Sequence, residues 1–231
     1  MILSYIKWAL IAILTVFFAL LTILISLISP KFAALTTVKI WGKLILIISG
    51  VSLKIDGLKN IENKPTIVMY NHKSYYDIFS FASFMNYDWR AMMKKELLDV
   101  PFFGTAVKIM DHYFVSRDGS FSDRREVVKI IKKIKKGKII FIAPEGTRNP
   151  EKGLLDFKDG GFYISLKTKV NIVPMVIKNA DEITKKGSWK INPGIIEIKI
   201  LPEINVIEYQ KSKDPVNKLK NDIKEIFNSY L

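Results

Sequence analysis

At 231 residues the chain suits one domain, or one domain with an appendage, and its 49% hydrophobic content is enough for a buried core. It contains no cysteine, which excludes disulfides, thiolate metal sites and a cysteine nucleophile. Its net charge of +14 points to anionic partners: nucleic acid, acidic lipid, phosphorylated ligands or an acidic protein.

The charge is uneven along the chain. Lys7, Lys31, Lys39, Lys43 and Lys54 precede Asp56, the first acidic residue. Trp8 to Ser29 is a run of 22 uncharged residues, long enough to cross a ~30 Å hydrocarbon core at ~1.5 Å per residue. Pro30 and Lys31 end it. A second apolar stretch, Leu44 to Leu53, is short and flanked by lysines, so a hairpin entering one leaflet and a full crossing both fit. A cleaved signal peptide is the competing reading. Against it, Lys7 alone charges the leading region, and the apolar run exceeds the usual ~7–15 residues. The lysines after the run place the rest of the chain on the cytoplasmic side of a cell inner or cytoplasmic membrane. The expected division is a hydrophobic membrane-anchoring helical segment, residues 1–55, and a domain over 56–231.

Past Asp56, short apolar runs alternate with helical patterns. Pro65–Tyr70 (PTIVMY) reads as a buried strand, and Tyr75–Met85 as a helix. Asp111–Ser116 reads as a strand. Ser122–Lys136 reads as a helix with Val127, Val128, Ile131 and Ile134 on one stripe, stopped by Gly137. Lys138–Ala143, Asn171–Lys178 and Gly194–Leu201 read as strands, and the residues from Asp214 as an amphipathic closing helix. This alternation predicts an α/β fold, a mixed or mostly parallel sheet flanked by helices.

Three of these strands run into polar residues: Asn71-His72, Arg117, and Pro144-Glu145-Gly146-Thr147-Arg148. In open α/β sheets ligands gather beyond the carboxyl ends of strands, so parallel strands would bring His72, Arg117 and Arg148 to one edge. His72 and Asp77 are five apart. On one continuous helix that spacing puts them ~140° apart. They can meet if His72 lies in the loop and Asp77 in the first helical turn, and Ser74 to Asp77 reads as a capping box that supports this split. A neutral imidazole can take a proton from an attacking hydroxyl while a carboxylate on its other nitrogen fixes the tautomer. The plainer reading is a helix cap beside a structural histidine. Arg148 after Gly146 suits a phosphate clamp, because guanidinium binds phosphate bidentately and glycine permits close approach. The plainer reading there is an ion pair of Arg148 with Glu145. His112 reads as structural. Two histidines and no cysteine make a metal site unexpected, and a serine nucleophile elbow is missing from the sequence.

Together these residues resemble the 1-acylglycerol-3-phosphate (lysophosphatidic acid) acyltransferase family of the glycerolipid acyltransferase superfamily. Asn71 to Asp77 (NHKSYYD) matches its N-H-x-S-x-x-D motif, and Pro144 to Arg148 its P-E-G-T-R motif. Lys94-Lys95-Glu96-Leu97 with Pro101 to Gly104, and Val173-Pro174, are similar to two further motifs. The chain departs where Asp111 and Ser116 replace a glycine and an aspartate of the motif ending at Arg117, and where Ala143 replaces a common aromatic.

The resemblance implies transfer of a fatty acyl group from an acyl thioester, on acyl carrier protein or coenzyme A, to the sn-2 hydroxyl of lysophosphatidic acid. It gives His72 the role of general base and Asp77 that of its orienting partner. The acceptor phosphate would fall to Glu145, Gly146, Thr147 and Arg148 with Arg117 and either Lys94 or Lys95, with no metal and no cofactor. It also implies a membrane-seated helical pair at the N-terminus. Three rivals remain: another phosphate-bearing acceptor such as glycerol 3-phosphate or another lysophospholipid, a non-catalytic lipid-binding protein, and a nucleic-acid binder. The apolar N-terminus and the lack of a nucleic-acid motif argue against the last. The basic run of residues 124–138 reads either as a solvated helix face or as a docking site for acidic carrier protein or anionic lipid.

Overall fold

The structure, a computed structural model, describes residues 1–116, 121–134, 137–149 and 151–231. It opens with helix α1 (Ile2–Ser26), followed after a short turn by α2 (Pro30–Ala33), a π-helical turn at Ala34–Val38 and α3 (Lys39–Ser49). Ser29 starts the second arm by accepting the Phe32 N–H, with Pro30 at the first helical position. Gly50 ends α3 at φ +73°, a left-handed conformation that glycine adopts without steric cost. The two arms fold back on each other: the Lys7 ammonium donates to the Ser49 carbonyl, at 2.9 Å, near the end of α3.

The remainder comprises β1 (Val51–Asp56), β2 (Thr66–Tyr70), α4 (Tyr76–Phe84), β3 (Trp89–Lys94), α5 (Phe103–Ile109), β4 (Tyr113–Val115), α6 (Phe121–Ile134), β5 (Ile139–Ile142), α7 (Gly160–Thr168), β6 (Ile172–Lys178), α8 (Ala180–Ile183), β7 (Gly194–Ile200) and α9 (Pro215–Tyr230). Among the described residues the strands form one sheet in the order β1-β7-β6-β2-β5-β3-β4. The run from β6 to β4 is parallel; β7 runs antiparallel to β6, and β1 follows β7. The sheet is therefore mixed and mostly parallel, as the alternating pattern predicts.

Strand β2 sits at the centre and is buried on both faces, which explains its unbroken apolar sequence. Its side chains alternate between two cores. Val68 and Tyr70 face a core shared with α1, α3, α4, α5 and α8. Ile67 and Met69 face a core shared with α6, α7 and α9. The N-terminal helices thus cover one face of the sheet, and the basic α6 covers the other. On α6 the inward stripe is Val127, Ile130, Ile131 and Ile134, whereas Val128 is exposed. Strand β1 starts at Val51, so the sheet takes in residues that hydropathy groups with the N-terminal helices.

Candidate active site

The parallel register brings the carboxyl ends of β2, β5, β3 and β4 to one edge. His72 follows β2 in a loop, and Pro144 to Arg148 follow β5. The Asn71 side chain extends the sheet by one rung. Its amide donates to the Ile177 carbonyl and its oxygen accepts the Ile177 N–H, both at 2.7 Å. This ties the loop of His72 to β6.

His72 Nδ1 lies 2.8 Å from Asp77 Oδ2. A carboxylate only accepts, so in the neutral ring Nδ1 carries the proton and Nε2 is the nitrogen with the lone pair. The same Oδ2 also accepts the Lys73 and Ser74 N–H groups at 2.8 and 2.9 Å. Asp77 is fully buried in the first turn of α4. The meeting of the two residues is the loop-and-helix split that their spacing allows. The capping box forms by half. Asp77 reaches back to the Ser74 N–H, but the Ser74 hydroxyl donates to the Thr184 carbonyl at 2.9 Å instead of closing the helix end.

Glu145 turns inward. Its Oε1 accepts the His72 N–H and its Oε2 the Leu155 N–H, both at 2.9 Å. Burial pushes its carboxyl above the usual range, against the opposing pull of those two N–H groups. The Asn149 N–H donates to the His72 carbonyl at 2.8 Å, and the buried Lys73 ammonium donates to the Glu151 and Gly153 carbonyls. Sequence reasoning passed over Lys73 and Asn149. Their role rests on contacts with distant main chain, which local patterns do not carry.

Arg148 pairs with no carboxylate among the described residues. Its guanidinium lies over the Tyr75 ring, 3.7 Å from the centroid. Cation–π contact of this kind holds a guanidinium in place without cancelling its charge. The alternative Glu145–Arg148 ion pair is not formed, because both Glu145 oxygens serve main-chain N–H groups. Gly146 has φ +71°, which a side chain would strain, and Thr147 is exposed beside it. Lys94 ends β3 at the same edge and pairs with Glu96 at 2.8 Å; Lys95 follows it, exposed. Arg117 lies outside the described residues. His112 is buried, and its Nδ1 accepts the Ala91 N–H at 2.9 Å. No group of three or more metal-ligating side chains occurs among the described residues.

An open apolar pocket lies behind this edge, walled by α1, α3, α5 and β3, with a volume of about 50 Å³. Ile78, next to Asp77, lines it, as do Trp89 and His112. Sheet register sets Ala91 level with Phe141 and Val68. Val68 precedes His72 by four residues, so His112, which accepts the Ala91 N–H, lies about 13 Å below the His72 edge at ~3.3 Å per residue.

Comparison with known proteins agrees with this architecture. Residues 52–178 match the family described as Acyltransferase. The 1-acyl-sn-glycerol-3-phosphate acyltransferase of Saccharomyces cerevisiae is 32% identical over 71% of this chain and 55% of its own length. That of Salmonella typhimurium is 30% identical over 66% of this chain and 61% of its own length. The chain thus spans a little over half the length of these curated relatives. The crystal structure of the 1-acyl-sn-glycerophosphate acyltransferase of Thermotoga maritima superposes with a TM-score of 0.83 at 22% identity, covering 99% of this chain and 93% of that one. The family match spans the sheet from β1 to β6 and both strand-end loops that carry His72, Asp77 and Arg148, and the chain belongs to the acyltransferase family.

Proposed function

We propose that this protein transfers a fatty acyl group from an acyl thioester, on acyl carrier protein or coenzyme A, to the sn-2 hydroxyl of lysophosphatidic acid, giving phosphatidic acid. The observation that carries this reading is the His72–Asp77 contact at 2.8 Å, at the sheet edge that also bears Arg148. His72 Nε2 takes the proton of the acceptor hydroxyl as its oxygen attacks the thioester carbonyl. The tetrahedral oxyanion collapses, the carbon–sulfur bond breaks, and the imidazolium returns the proton to the leaving thiolate. Asp77 stabilises the imidazolium between those steps. Arg148 binds the acceptor phosphate with the turn at Gly146 and Thr147, and Lys94 or Lys95 adds positive charge to that edge. Glu145 holds the His72 loop. The apolar cavity takes the acyl chain. α1 and the Pro30–Ser49 arm, both long and apolar enough to cross a membrane, seat the chain in the bilayer with the catalytic domain on the cytoplasmic side.

The test is acyl transfer to lysophosphatidic acid by detergent-purified protein, wild type beside His72→Ala, with acyl carrier protein and coenzyme A thioesters offered separately. Product from wild type with a fall of ~10²–10⁴-fold in the variant is expected. Equal rates in both would remove His72 as the base. Product from glycerol 3-phosphate in place of lysophosphatidic acid would change the acceptor and keep the chemistry.

A further inference from the structure

The connection between α8 and β7 is exposed from Lys185 to Lys190, and it touches both the catalytic loops and the start of α1. The Thr184 carbonyl accepts the Ser74 hydroxyl, and the Lys186 ammonium donates to the Arg148 carbonyl at 3.0 Å. On its other side Trp8 donates its indole N–H to the Trp189 carbonyl at 2.8 Å, and the two indoles meet edge to face at 6.1 Å. The Ile191 N–H donates to the Ser4 hydroxyl. The loop is internally braced: the Thr184 hydroxyl donates to the Lys190 carbonyl, and the Ser188 N–H to the Lys185 carbonyl. Trp189 is nonetheless 62% exposed, and Lys185 and Lys190 have no carboxylate partner among the described residues.

Folding does not account for an ordered loop that holds a tryptophan in water between unpaired lysines. What lies beside it does. Ile2, Leu3 and Ile6, at the end of α1 that the loop grips, are all exposed. Indole rings favour the boundary between hydrocarbon and headgroups, and lysines favour anionic headgroups. A soluble acidic protein would match the lysines but not the continuous apolar flank. We infer that the Lys185–Lys190 loop is an interfacial anchor that docks on an anionic lipid surface, with Trp189 at the headgroup boundary and Lys185 and Lys190 on lipid phosphates. Through Lys186 and Thr184 the docked loop sets Arg148 and the His72 loop at headgroup depth, where a phosphate-bearing lipid presents its phosphate. The inference rests on the reading of α1 as membrane-inserted.

The chain has no cysteine, so Ser188→Cys provides one labelling site on the loop. The full chain carrying a polarity-sensitive dye there is reconstituted into phosphatidylcholine vesicles with and without phosphatidylglycerol. Flotation of the vesicles reports α1 insertion separately. The expected result is a blue shift and a loss of acrylamide quenching in the anionic vesicles. Lys185→Gln with Lys190→Gln, which leaves Lys186 on Arg148, should lower the apparent affinity of the loop for that surface by roughly ten-fold or more. High salt should do the same. A dye at Lys213→Cys, exposed on the other face of the sheet, should show no shift. Protein that floats with the same dye spectrum in both vesicles, or in both lysine backgrounds, overturns the anchor and leaves α1 insertion standing. Protein that does not float removes both.

Discussion

The Asp77 carboxylate does three things with one oxygen. It orients the His72 ring, it collects two loop N–H groups, and it closes the first turn of α4. Asp77→Asn can still accept N–H groups but carries no charge to stabilise an imidazolium. A loss on the order of 10²–10⁴ in kcat is expected, with KM for the acceptor little changed, and steady-state kinetics in both substrates reads it. An unchanged kcat would reduce Asp77 to a helix cap. Glu145 differs, because its contacts are structural. Glu145→Ala strands two partly buried N–H groups at up to about 1–3 kcal/mol each, so thermal stability should fall together with activity. A variant that weakens acceptor binding at unchanged Tm would make Glu145 a substrate ligand instead. His112 governs stability in acid. Burial, with Arg90 nearby and Asp88 opposing, pulls its imidazole down to about 3 from an ordinary 6.5. The unfolded chain then binds the proton more tightly. Its stabilising contribution is complete above pH ~6.5 and is lost as pH falls towards ~3, a difference on the order of a few kcal/mol. His112→Asn keeps an acceptor for the Ala91 N–H, and its Tm should fall less steeply over that range than the wild type's. Parallel acid limbs would show that His112 does not control them.

Glycine fixes how closely the N-terminal arm approaches the domain. A Cβ at Gly42 on α3 would lie 2.8 Å from the Phe79 carbonyl oxygen and 3.0 Å from the Ser83 nitrogen on α4. Gly42→Leu should force these helices apart at about 1–3 kcal/mol, lowering Tm by several degrees in differential scanning calorimetry. A Tm equal to wild type would mean that α3 does not bear on α4. Elements with strong periodicity were legible from sequence: β2, β5, β6, β7, α6 and α9 all fall where apolar spacing places them. β1 was hidden because Val51 and Leu53 continue the apolar run of α3, and the turn at Gly50 that divides them is a backbone conformation. β3 was hidden because Trp-Arg-Ala-Met-Met-Lys has no β-branched residue and buries Arg90 beside Asp88. The site was legible where chemistry sat at strand ends. The meeting of His72 with Asp77 was allowed by their five-residue spacing and supported by the capping-box pattern, with a structural histidine beside a helix cap as the plainer alternative. The grip of Asn71 on β6 and of Ser74 on Thr184 did not, since both join residues more than 100 positions apart.

In the whole molecule α1 has two sides with different work. Ile11, Phe18 and Ala19 are buried, and Phe18, Ala19, Thr15 and Thr22 line the apolar cavity against α5 and β3. Leu10, Ile13, Phe17 and Leu20 point outwards and are exposed. A hydropathy reading sees one uniform segment, whereas the packing makes one side a wall of the apolar pocket and leaves the other exposed; under the proposed function the first holds the acyl chain and the second meets the membrane. The two roles come apart experimentally. Deleting residues 1–28 should remove the cavity wall and its buried contacts, so activity in neutral detergent should fall by about ten-fold or more with a lower Tm, although no bilayer is needed there. Replacing Leu10, Ile13, Phe17 and Leu20 with glutamine leaves the wall intact. That variant should keep its Tm and its detergent activity but fail to float with phosphatidylcholine vesicles, which give the Lys185–Lys190 loop no anionic surface, since each large apolar side chain withdrawn from lipid forfeits about 1.5–3 kcal/mol of transfer free energy. Full detergent activity in the deletion would make α1 a dispensable anchor, and the acyl chain would then need a site elsewhere. Flotation of the glutamine variant would place membrane binding on the exposed residues of the second arm, among them Phe32, Ile40 and Ile47.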